Sequence, residues 1–110
     1  MTRRQPGDSA ELVRLRARID ALDRRIVGLI NERAELARAV GAEKLRSGRA
    51  VRDANREREV LLRVSMANQG PTPQADLLAV YRRLIASARS LESRQHDRPN
   101  AQPPDGEPPA

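Results

Sequence analysis

Leu12, Leu15, Ile19, Leu22, Ile26, Leu29, Arg33, Leu36 and Val40 follow one another at alternating three- and four-residue steps, the spacing that aligns side chains along one seam of an α-helix. The seam predicts a helix that starts at Ser9 as N-cap, with acidic Glu11 behind it, and runs to about Arg46, where Ser47-Gly48 stops it. Such a helix of about 38 residues measures about 57 Å at 1.5 Å per residue, whereas a lone domain of this size has a radius of gyration of about 13 Å. The rest of the chain is too short to cover that rod, so its apolar seam asks for a second copy of itself. Gly28 and Gly41 lie inside the helix, each disfavouring it by about 1 kcal/mol relative to Ala, and are expected to permit close helix approach.

A short connection, Ser47 to Arg52, leads to a second predicted helix from about Asp53, its candidate N-cap, to Asn68, with Val60, Leu61 and Val64 as its apolar side. Asn68-Gln69-Gly70-Pro71 ends it. A third helix is predicted from Thr72-Pro73, cap then proline in the first turn, to about Arg94, with the stripe Leu77, Leu78, Tyr81, Leu84, Ile85, Ala88 and Leu91. From His96 onward five of the eight prolines fall within fifteen residues without apolar periodicity, which predicts a disordered tail. The organisation expected is all-α, one very long and two shorter helices: a disordered N-terminus over 1–8, a helical domain over 9–95, and the tail over 96–110.

Composition removes several chemistries. There is no cysteine, and the single histidine, His96, sits in the polar tail. Ser-His-Asp and Cys-His catalysis are thereby excluded, and only all-carboxylate metal sites stay open. Met1 to Glu11 lacks the apolar core of a signal peptide, and nowhere do about 18 apolar residues run together; a soluble, cytoplasmic protein away from the membrane is expected. The formal charge is +6, from 21 Lys+Arg against 15 Asp+Glu. Without the tail's Arg98, Asp97, Asp105 and Glu107 it is 20 against 12, or +8. An anionic partner follows. Tyr81 is the only aromatic residue, which leaves little for base stacking, so small anions compete well with nucleic acid.

Arg33 is the cation in the apolar seam, and no seam position carries an acid to meet it. Desolvating a guanidinium without a counter-charge is costly, so the position reads as a ligand site for an anion. Lys44 lies eleven residues on, about 20° away in azimuth and about 16 Å along the axis, so two long side chains can converge on one small ligand. Arg16 is about 25 Å before Arg33 and rotated by about 100°; it cannot reach that pocket from the same copy. In an antiparallel pair of such helices it serves the partner's pocket. Asp53, Arg56 and Glu57 head the stripe completed by Val60 and Val64, and Glu92 follows the apolar stripe of the third helix. Each has a plain alternative: Asp53 as N-cap, Glu57 as a surface partner of Arg56 or Arg58, Glu92 as an exposed acid, and Lys44 and Arg56 as solvated cations.

Four segments stand in order: Leu15-Arg16-x-x-Ile19-Asp20-x-Leu22-Asp23; Arg33-x-x-Leu36-x-x-x-Val40-Gly41-x-x-Lys44; Val51-Arg52-Asp53-x-x-Arg56-Glu57; and Tyr81-Arg82-x-Leu84-Ile85-x-x-Ala88-Arg89-x-Leu91-Glu92. Over about residues 11–95 the chain resembles the small all-helical chorismate mutases, which form intertwined homodimers. The resemblance implies conversion of chorismate to prephenate in aromatic amino acid or related specialised biosynthesis, without cofactor or metal. It implies that Arg33 and a partner-chain Arg16 bind the substrate's two carboxylates, and that Lys44 reaches a carboxylate and the ether oxygen. Glu57 and the backbone near Asp53 would hold the ring hydroxyl, Arg56 would complete the cationic wall, and Glu92 would face Lys44 across the ether oxygen.

Two positions depart from the pattern. Ala88 stands where many members have a carboxylate-holding serine, a loss that adjacent Ser87 is placed to offset. Glu92 stands where many have glutamine, and a carboxyl group donates only when protonated. Isochorismate pyruvate lyase and aminodeoxychorismate mutase are alternatives on the same fold, disfavoured by Val51-Arg52-Asp53 followed by Arg56-Glu57. A basic helical dimer binding nucleic acid or protein is the non-enzymatic alternative, and an activating partner enzyme is left open.

Overall fold

The computed structural model describes residues 7–96. They form α1 (Ala10–Ser47), α2 (Ala54–Ala67) and α3 (Gln74–His96), with no strand among the described residues. The all-α, three-helix architecture expected from the periodicity is therefore observed. Of the segments expected to be disordered, residues 1–6 and 97–110 lie outside the described residues. Two compact units divide the chain, Met1–Arg33 and Ala34–Ala110, with the boundary inside α1.

In the first unit Ser9 caps α1 as expected: its Oγ accepts from the Leu12 N–H at 3.0 Å and its carbonyl from the Val13 N–H at 3.1 Å. Beyond the cap, Leu15, Ile19, Leu22, Ile26 and Leu29 all stand exposed, from 43% at Leu15 to 59% at Leu29. Among the described residues nothing fills this seam. Among the described residues a Cβ at Gly28 would meet nothing within 4 Å, so the close approach expected there is not made by them.

In the second unit α1 ends in a Schellman turn. The Arg49 N–H donates to the Lys44 carbonyl at 2.8 Å and the Gly48 N–H to the Leu45 carbonyl at 3.3 Å, with Gly48 at φ +72°. A left-handed residue is needed at that point, which is why Ser47-Gly48 stops the helix. Asp53 then caps α2, its Oδ1 accepting from the Arg56 N–H at 3.0 Å. Asn68 closes α2, giving its backbone N–H to Val64 and its side-chain amide to the Thr72 carbonyl and Gln74 Oε1. α3 starts one residue later than expected: Pro73 is the cap rather than a first-turn residue, because its carbonyl accepts from the Asp76 and Leu77 N–H groups, both at 3.1 Å. It also runs two residues past Arg94, to His96.

α2 packs on α3, and Val60, Leu61 and Val64, together with Leu77, Leu78, Tyr81, Leu84, Ile85, Ala88 and Leu91, are all half-buried. Ala37 is the only buried hydrophobic side chain among the described residues. Next to it along α1, Gly41 is also buried, and a Cβ there would stand 2.7 Å from the Glu92 Cα and 2.9 Å from its carbonyl oxygen. Backbone lies against backbone at this crossing.

Gly41→Ala forces the last turns of α1 away from α3 and should destabilise the protein by about 1–3 kcal/mol, as overpacking does. Gly28→Ala, free of such contacts, should leave stability unchanged or raise it by up to about 1 kcal/mol through helix propensity. Thermal unfolding followed by circular dichroism compares the two, and an equal effect on Tm would refute the close-packing account. A second prediction concerns Asp53, whose carboxyl is held below its ordinary 3.8 chiefly by the hydrogen bond from the Arg56 N–H, with Arg49 and Lys44 adding their charge. A depressed value means the cap's contribution is full above the unfolded-state pKa and is lost as pH falls through the folded one. Protection of the Arg56 amide, its exchange referred to the intrinsic rate at each pH, should therefore fall in acid in the wild type but not in Asp53→Asn, which caps without titrating; parallel profiles would contradict this.

Candidate active site

The close approach at Gly41 brings the end of α1 against α3, and Lys44, one turn further on, meets Glu92. Its ammonium donates to Glu92 Oε1 at 2.7 Å and to the Val51 carbonyl at 2.6 Å. Both side chains are largely shielded, 15% and 14% exposed. An ammonium has three protons, and among the described residues two of them are committed here. The Val51 contact also ties the connection between α1 and α2 back onto α1, which fixes where Asp53 and α2 begin.

A second charged group joins α2 to α3. Arg89 Nη1 donates to Glu57 Oε2 at 2.6 Å, and Arg52 Nε lies 3.4 Å from the same oxygen. Glu57 thus takes neither of the partners its sequence neighbourhood suggested. Arg56 turns instead to Glu59 at 2.7 Å in the solvent, and Arg58 to Asn55. The Arg56 guanidinium holds the Glu59 carboxyl below its ordinary range, with Arg63 adding to the effect. Arg56 therefore departs from the face it was expected to share with Glu57, because exposed i,i+3 pairing competes for a flexible cation.

Ala88 is half-buried, and adjacent Ser87 is exposed, lining a depression with Arg83, Ser90 and Arg94 that includes neither Lys44 nor Glu92. Ser87 is thus not seen beside the charged pair. In the other unit Arg16 pairs with Asp8 at 2.9 Å and is about half exposed, while Arg33 is half-buried. Within the second unit, then, the structure brings together Lys44 with Glu92 and Glu57 with Arg89, and puts Asp53 at the cap between them in sequence. Sequence reasoning missed the Val51 carbonyl and Arg89. Arg89 stands one turn before Glu92 on α3, but its spacing does not name Glu57 as its partner.

Among the described residues no group of acids or histidine is arranged to hold a metal ion, and no helix is long and apolar enough to cross a membrane. What the arrangement offers is a shielded ammonium, a carboxyl group beside it, and a fixed acceptor on α2. These are tools for binding and polarising oxygen, not for covalent attack.

Comparison with known proteins accords with this site. Residues 15–93 match the family model of chorismate mutase type II. The chain is 36% identical over 88 residues to a bifunctional chorismate mutase/prephenate dehydratase of Aquifex aeolicus, covering 76% of this chain and 24% of that protein. It is 34% identical over 91 residues to the protein of the same name from Stutzerimonas stutzeri, covering 78% and 25%. With that from Escherichia coli K12 the identity is 51% over 53 residues, 48% of this chain and 14% of the other. The chain thus spans about a quarter or less of the length of these relatives. From the helices, the Lys44–Glu92 pair and the match over 15–93 together, the chain belongs to the chorismate mutase type II family.

Proposed function

We propose that the chain catalyses the rearrangement of chorismate to prephenate, in aromatic amino acid biosynthesis, as a homodimer with two shared active sites. The observation that carries this reading is the shielded Lys44–Glu92 pair. The reaction breaks a C–O bond as a C–C bond forms within one molecule, so it needs no nucleophile and no external base. It needs a folded substrate conformer and donors aimed at the ether oxygen as that oxygen gains negative charge. Lys44 supplies one donor. Glu92, whose Oε1 accepts from that ammonium in the free protein, supplies the other in its protonated form once the ether oxygen takes its place beside Lys44.

The remaining residues take the roles of holding the dianion. Arg33 binds one carboxylate and Arg16 of the partner chain the other, Glu57 and the backbone at Asp53 hold the ring hydroxyl, and Arg56 swings from Glu59 to close the cationic wall. Ala88 contributes only apolar contact, so one carboxylate hydrogen bond is lacking. The exposed seam of Leu15, Ile19, Leu22, Ile26 and Leu29 supports the dimer: an apolar stripe of this length is stable in water only when covered. The relatives' names join a chorismate mutase to a prephenate dehydratase, which agrees with prephenate as product.

A subunit-exchange experiment tests the shared site. Arg16→Ala and Arg33→Ala should each be inactive, and the verified heterodimer of the two should regain about half of wild-type activity, because one site then has both arginines. No recovery would refute sharing. A substitution series tests Glu92: Glu92→Gln, which keeps a donor at this position, should retain kcat within about tenfold, while Glu92→Ala, which has none, should lower kcat by about a hundredfold. Equal kcat in Glu92→Gln and Glu92→Ala would remove Glu92 from the ether oxygen.

A further inference from the structure

Glu57 is held in an unusual way for a residue whose proposed partner is a ligand hydroxyl. Its Oε2 receives Arg89 at 2.6 Å and lies 3.4 Å from Arg52 Nε, whereas among the described residues no hydrogen bond reaches its Oε1. A carboxylate has two oxygens and acts only as an acceptor when ionised. The Arg89 contact is short, charge-assisted and partly shielded, Glu57 being 22% and Arg89 36% exposed, so it is worth more than a surface pair. Arg52, at 63% exposure, is the looser of the two.

We propose that Arg89 is a positioning residue that fixes the Glu57 carboxylate so that Oε1 is presented to the ring hydroxyl of the substrate. The inference rests on the function proposed above. Arg89 occupies one oxygen permanently and thereby sets the torsion of the carboxylate, so the second oxygen is oriented before the ligand arrives. Ordering is paid in the folded protein rather than on binding. Because Arg89 and Glu92 are one turn apart on α3, the same helix positions the acceptor for the hydroxyl and the acid at the ether oxygen. Arg89 does not itself touch the substrate; its effect is on which substrates are told apart.

The test compares chorismate with an analogue in which hydrogen replaces the ring hydroxyl, the analogue's inhibition constant being set against the KM for chorismate. Wild type should discriminate by about tenfold or more, the scale of a hydrogen bond to a charged group. Arg89→Met should raise KM for chorismate by about tenfold, leave kcat within about threefold, and shrink the discrimination towards one. In a Glu57→Gln background the same change should add less than about twofold, since neighbours in one network are not additive. If Arg89→Met fails to fold, Arg89→Lys, which keeps the charge and loses the planar fork, must still lose part of the discrimination. Equal weakening of both ligands with the ratio unchanged would show Arg89 to be merely structural and overturn the proposal. An inert wild-type chain would overturn the function itself, so the two failures are distinguishable.

Discussion

The contact of Gly41 with the backbone of Glu92 is the constraint on which the second unit depends. With no Cβ at Gly41 the two helices touch main chain to main chain. Side chains one turn further along α1 then reach α3 without stretching, and Lys44 finds Glu92 at 2.7 Å. The same ammonium holds the Val51 carbonyl at 2.6 Å and so anchors the segment from which Asp53 starts α2. One missing methyl group thus sets a helix crossing, an ion pair and the entry to the next helix.

Charge arrangement on α3 extends the consequence. Glu92 points to α1 and Arg89 to α2, three residues apart on one helix, so each neighbour is tied to α3 by one salt bridge of opposite polarity. Partly shielded pairs of this kind lose desolvation energy as they form and give it back only when geometry is good. Their value lies in orientation. A rearrangement that uses no covalent intermediate gains most from donors and acceptors that are already aimed.

Much of this was legible in the residues, and the parts that were not have a common cause. Ser9, Gly48, Asp53 and Asn68 announce the helix ends because capping is local chemistry read within a few residues. The stripes of α2 and α3 were legible for the same reason, as periodicity alone decides which face is apolar. Pro73 was misread by one position because a proline fits both the cap and the first turn. Partner choice was not legible: whether Glu57 meets Arg56, Arg58, Arg52 or Arg89 depends on helix crossing and on rotamers of long side chains, which no spacing rule encodes. Gly28 and Gly41 look alike in sequence, and only the packing separates them.

The exposed seam of the first unit and the shielded pair of the second make complementary demands, one for a partner helix and the other for an anionic ligand with a polarisable oxygen. Both are met if the chain acts on chorismate as a dimer. The most direct measurement is the product-resolved proton NMR spectrum of chorismate incubated with the purified chain. The account predicts that chorismate disappears and prephenate appears in equal amount. Unchanged chorismate, or a product other than prephenate, would contradict it.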